Sequence, residues 1–210
     1  AIWRSLVGSE MCIRDREKLE YRGYDSAGIA IINSETNSIT CNKAEGKLKN
    51  LKNNLNHENI PGTVGIGHTR WATHGKPEVK NAHPHIDGSG KVAVVQNGII
   101  ENFQDLKNKL QKEGIIFNSD TDTEVIPHLI ERELNTLGKL NLDNNGSTLL
   151  VAVRNVISDL EGSYALAVLW AGAPTSLVVA RKQAPLIIGL GEGEFICASD
   201  TPAIANFTNI

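Results

Sequence analysis

Two observations predict an α+β fold. Short runs rich in valine and isoleucine gather toward both ends of the chain, and amphipathic runs with helical spacing fill its middle. Strand runs that flank helix runs imply packed sheets covered by helices. The length of 210 residues is enough for one sizeable core or at most two small ones.

The strand signals are 28–32 (GIAII), 64–71 (VGIGHTRW) and 91–98 (KVAVVQNG), then 163–170, 175–181, 185–191 and 194–199. Only turns separate the last four, which predicts one antiparallel meander. The first helix is NFQDLKNKLQKEG, with Phe103, Leu106 and Leu110 on one face and Gly114 as its stop. TDTEVIPHLIERELNTLG is the second, opened by a capping box of Thr121 and Glu124, with Pro127 as a site for a kink. A third helix starts at Ser147 and stops at Gly162, after the polar loop LNLDNNGS. GLGEGE lacks the spacing of a dinucleotide fingerprint and reads as a hairpin turn.

Composition sets the class. Hydrophobic residues make up 40% and charged residues 21%, as in ordinary globular proteins. A net charge of −3 argues against a nucleic-acid partner, which asks for a basic face. No apolar run reaches the roughly 18 residues of a membrane span, and the opening AIWRSLVGSE has no signal-peptide core. Cys12, Cys41 and Cys197 form no CxxC pair, so a reduced, cytoplasmic chain is expected. Cys41 and Cys197 lie in strand-like surroundings and read as small buried hydrophobes.

Three polar stretches could carry chemistry. GHTRWATHG leaves a strand and enters a loop, where Arg70 offers a planar fork for a carboxylate and Thr73 and His74 add hydrogen-bonding groups. The plain alternative is a structural ion pair at Arg70, with Trp71 in the core. In QNGIIEN, Asn97 and Gly98 make a hairpin turn or an oxyanion hole, and the turn is favoured on these residues alone. SDTDTE is a helix cap unless Asp122 faces a cation. Joined, the three describe a grip on a free amino acid: Arg70 for its carboxylate, Asp122 for its ammonium, Asn97 and Gly98 beside its side chain. A competing reading is a metal site on His68, His74, His83 and His85, though their spacing matches no zinc motif.

LEYRGYDSAGIA, GHTRWATHG, NAHPH, QNGIIEN and SDTDTEV, followed by GSYALAVL and ARKQAPLIIGLGEGEF, resemble the glutaminase domain of the glutamine–fructose-6-phosphate aminotransferase family. The resemblance implies an N-terminal-nucleophile hydrolase fold, a four-layer α-β-β-α sandwich of two antiparallel sheets. It also implies hydrolysis of the glutamine side-chain amide without a cofactor or metal. The ammonia would pass to a sugar-isomerase domain that binds fructose 6-phosphate and lies outside this chain, in a full-length homo-oligomer. By motif, Arg70, Trp71, Thr73, His74 and Asp122 match glutamine-binding positions, Arg22 an arginine near the nucleophile, and Asn97 and Gly98 the oxyanion hole.

The family's nucleophile is a cysteine at the chain's own N-terminus, because a free α-amine with a pKa of roughly 7.7–8.0 can act as its base. Cys12 lies inside the chain, and the charged IRDR that follows is poor material for a buried strand. Residues 1–16 are therefore read as foreign to the fold, like a translated sequencing adapter, and 17–210 as a partial glutaminase domain. The expectation is a glutamine site without turnover.

Overall fold

The computed structural model describes residues 2–5 (backbone only), 25–55, 61–71, 76–140, 145–191 and 193–205. Ten strands are described: β1 (Ile2–Ser5), β2 (Ser26–Ile32), β3 (Ile39–Glu45), β4 (Val64–Arg70), β5 (His85–Ile86), β6 (Val92–Ile100), β7 (Gly162–Trp170), β8 (Val178–Lys182), β9 (Ile187–Gly191) and β10 (Glu194–Ala198). The helices are α1 (Leu48–Asn54), α2 (Phe103–Lys112), α3 (Val125–Lys139) and α4 (Gly146–Ser158). They form a six-stranded sheet in the order β3-β2-β4-β1-β10-β9 and a four-stranded sheet in the order β5-β6-β7-β8. Every strand pairing within both sheets is antiparallel.

Three apolar layers hold the molecule together, and side-chain alternation sets them. On β6, Val92 and Val94 face α2, α3 and α4, together with Leu110, Ile126, Ile130 and Leu149. Ala93 and Val95, one position out of phase, meet Val64, Ile66, Ala165, Leu169 and Cys197 between the two sheets. Beyond the six-stranded sheet, Ile29 and Ile31 pack against Leu48 and Leu51 of α1. The layers therefore run α1, six strands, four strands, then α2–α4, the α-β-β-α sandwich implied by the resemblance.

Several details differ from the sequence reading. The last four strands are two hairpins in different sheets, not one meander: β7–β8 belongs to the small sheet and β9–β10 to the large one. Residues 2–5, read as foreign to the fold, form a strand between β4 and β10, with Trp3 opposite Ile66 on one side and Cys197 on the other. Without β1 those two strands would stand two strand spacings apart, roughly 9–10 Å, with two ladders of unmet N–H and C=O groups. Residues 6–24, including Cys12 and Arg22, lie outside the described residues.

The helix ends also differ. Thr121 does not cap α3, whose N-cap is Glu124 without a side-chain cap bond. Pro127 falls in the first turn, where a missing N–H costs no helical bond. Asn145, not Ser147, caps α4, accepting the Thr148 N–H at 3.1 Å.

Candidate active site

The cleft forms where β4 and β6 face each other across the two sheets. Alternation that buries Val64 and Ile66 between the sheets carries His68 and Arg70 onto the same face at the strand's end. Ala93 and Val95 do the same for Asn97. A cavity of about 140 Å³ opens there, lined by His68–Trp71, His83, Gln96–Gly98, Thr121 and Asp122. Arg70, Asn97, Gly98 and Asp122 thus share one cavity although up to 52 positions separate them.

Arg70 is 4% exposed. One guanidinium nitrogen donates to the Lys76 carbonyl at 3.3 Å and stands 3.8 Å from the Asp25 carboxylate. Asp25 is a partner that no motif signalled; the pairing of β2 with β4 puts it there, next to Ser26, which lies opposite Arg70. Trp71 is 60% exposed and stands at the rim, not in the core. Thr73 and His74 lie outside the described residues.

Asn97 and Gly98 are not a turn. They lie inside β6, opposite Ala165 and Tyr164. Gly98 has φ +103, and a Cβ at that position would collide with the Ser163 carbonyl oxygen, so the strand needs glycine there. The direction of its N–H follows from its neighbours. The Gln96 N–H leaves the sheet to donate to His83 Nδ1 at 3.2 Å, and the Ile100 N–H donates to Asp122 Oδ2 at 2.8 Å. By strand alternation the Gly98 N–H, between these two, points to the same edge, away from β7. The Asn97 carboxamide oxygen lies 2.8 Å from His68 Nε2.

Asp122 is 4% exposed, and its Oδ2 is fixed by the Ile100 N–H. Behind the cleft a polar network holds this segment. Glu124 accepts hydrogen bonds from the Asn118 N–H (2.8 Å), the Ser119 N–H (2.7 Å) and the Ser119 hydroxyl (2.6 Å). Burial alone would raise the Glu124 carboxyl, but these bonds and the nearby His128 outweigh it and bring it down to about 2. At 3.9 Å, His128 is too distant for a hydrogen bond, so the Asn118 and Ser119 groups do most of this. Thr121 reaches His85 Nε2 at 3.0 Å, and the Thr123 hydroxyl donates to Gln96 Oε1 at 2.7 Å.

Among the described residues the histidines do not form a ligand set. His68 and His83 stack at 4.4 Å with 21° between planes, and His83 meets His85 edge to face at 4.8 Å. Burial first, then nearby positive groups, holds His83 and His85 well below the ordinary 6.5, so both are neutral at pH 7. Among the described residues no three His, Cys, Asp or Glu converge as a metal site. Burial raises the Cys41 thiol and pushes Cys197 up to about 11, the reverse of what a nucleophile needs.

Comparisons agree with this geometry. The family profile described as a glutamine amidotransferase domain matches residues 68–206. A Thermosynechococcus vestitus protein named glutamine–fructose-6-phosphate aminotransferase [isomerizing] is 54% identical, over 95% of this chain and 31% of its own length. A Methanosarcina acetivorans protein of the same name is 52% identical over 96% of this chain and 32% of its own. That coverage exceeds residues 17–210, so the likeness reaches into the first 16 residues. The chain spans about a third of the length of these relatives. Among solved structures, glutamine phosphoribosylpyrophosphate amidotransferase from B. subtilis superposes with a TM-score of 0.77 at 26% identity, covering 97% of this chain and 42% of that one. Strand order, cleft and sequence likeness converge: the chain belongs to the glutamine amidotransferase domain family.

Proposed function

We propose that the cleft binds free glutamine and presents its side-chain amide to the edge of β6. Arg70 takes the α-carboxylate and Asp122 the α-ammonium, with Trp71 at the rim of the cavity; Thr73, His74 and Arg22 are assigned to glutamine binding by motif alone. The Asn97 amide and the Gly98 N–H receive the oxygen that gains charge when a thiolate attacks the amide carbon. Collapse of that tetrahedral intermediate breaks the C–N bond, expels ammonia and leaves a thioester, which water hydrolyses to glutamate and the free thiol. The observation that carries this reading is one cavity shared by Arg70, Asp122, Asn97 and Gly98, with Gly98 between the anchored N–H groups of Gln96 and Ile100.

In the longer protein, ammonia passes to a sugar-isomerase domain that converts fructose 6-phosphate to glucosamine 6-phosphate, in a cytoplasmic homo-oligomer. Support for the reaction comes from relatives about half identical to this chain that are named glutamine–fructose-6-phosphate aminotransferase [isomerizing]. No helix among the described residues is long and apolar enough to cross a membrane. Cys12 lies inside the chain and carries an amide nitrogen in place of a basic amine, so it is not the attacking thiolate of this mechanism.

Calorimetry with glutamine tests this. Binding by the wild type, weakened roughly tenfold or more in Asp122→Asn, is expected from the loss of a charged contact. Heat of binding unchanged in that variant, or absent from the wild type, sinks the reading.

A further inference from the structure

We propose that His68 is a positioning residue that fixes which end of the Asn97 carboxamide faces the cleft. This rests on the oxyanion reading of Asn97 and adds the group that makes it work. A carboxamide has a donor end and an acceptor end, nearly indistinguishable by shape. Only the NH₂ end stabilises a developing oxyanion; the C=O end would repel it.

The His68 ring nitrogen lies 2.8 Å from Asn97 Oδ1. If Nε2 carries hydrogen, it donates to Oδ1 and turns the NH₂ toward the cleft. If Nε2 is bare, the amide flips to donate to it, and Oδ1 takes the oxyanion position. One hydrogen on one ring nitrogen therefore sets the polarity of the site.

The ring is held for this task. His68 is 6% exposed on the inter-sheet face of β4. Its ring stacks on His83, which has its own tautomer fixed: the Gln96 N–H donates to His83 Nδ1, so the hydrogen sits on Nε2, 3.4 Å from the Thr123 hydroxyl. Thr123 passes its hydrogen to Gln96 Oε1. The neighbours of Asn97 on β6 thus brace the ring that orients Asn97, and a sheet-to-sheet hydrogen bond aligns the two halves of the sandwich at the cleft.

The test is NMR of the folded chain with ¹⁵N-labelled histidine and asparagine. Long-range ¹H–¹⁵N correlation on the wild type is expected to place hydrogen on His68 Nε2, and glutamine is expected to shift the Asn97 NH₂ signals. His68→Gln, whose amide nitrogen can take the place of Nε2, retains that response. His68→Glu, similar in shape but an acceptor, captures the Asn97 NH₂ and loses it. A bare His68 Nε2 in the wild type overturns the proposal whether or not the variants fold. So does an equal Asn97 response in the Gln and Glu variants. If glutamine fails to bind at all, the proposed function falls, and the wild-type tautomer still decides the role of His68.

Discussion

Asp122 and Glu124 stand two positions apart in one polar stretch, and they serve opposite ends. Asp122 lines the cleft, with Oδ2 on the Ile100 N–H and Oδ1 3.4 Å from the Thr123 hydroxyl. Glu124 accepts three bonds from Asn118 and Ser119 and belongs to the network behind the cleft. The same contrast separates Arg70, Asn97 and Gly98 from His83, His85, Thr121 and Thr123. A ligand site leaves selected polar atoms directed at a cavity, whereas its support closes polar groups on one another. Cleft substitutions should therefore change binding with little change in stability, and network substitutions should lower stability first.

The largest separation is expected at Arg70→Ala. Glutamine affinity should fall roughly 100-fold, about 3 kcal/mol, while the thermal midpoint falls less than in Glu124→Gln. Calorimetry and thermal melts on the same samples check both. Glu124→Gln inverts the pattern: stability at pH 7 falls by about 1–3 kcal/mol in denaturant titration, because buried donors lose a charged acceptor. Equal losses of affinity and stability in both variants would erase the distinction.

The pH dependence sharpens it. His83 and His85 are held neutral, so the unfolded chain takes up protons that the folded chain refuses once pH drops below about 6.5. Stability then declines, each histidine contributing up to about 1.4 kcal/mol per pH unit. Glu124 adds a second window: its contribution is complete above its ordinary 4.5 and is lost as pH falls toward its folded value of about 2. In Glu124→Gln this lower window disappears, and the gap from wild type narrows below pH 4.5. Denaturant melts from pH 8 to pH 3 read both windows. The smallest effect is expected from Cys12→Ala in the full chain: glutamate release is unchanged. A fall in release would make Cys12 a nucleophile.

Much of this was legible in the sequence where pattern is local. Val/Ile runs marked β2, β4, β6 and β7, and helical spacing marked α2 and α3. What was missed depends on distant pairing. IWRS has only four residues and no clean alternation, so its place between β4 and β10 comes from the ladders on either side. ITCNKAE, which forms β3, is an edge strand of mixed polarity, and it is held by β2. Asn-Gly is a strong local signal for a turn, yet the nine-residue pairing of β6 with β7 overrides it. The residues of the proposed grip could be named from residue types in three motifs. Strand register brought His68 and Gln96 to the cleft and Asp25 beside Arg70, which residue types do not disclose.

The central claim is that Arg70 and Asp122 hold the two charged ends of glutamine while β6 faces its side chain. The measurement that tests it most directly is calorimetry with glutamine, 4-aminobutanamide, which lacks the α-carboxylate, and glutaramic acid, which lacks the α-amine. The account predicts that Arg70→Ala weakens glutamine and glutaramic acid but leaves 4-aminobutanamide nearly unaffected, and that Asp122→Asn spares only glutaramic acid. Equal losses for all three ligands in both variants would contradict it.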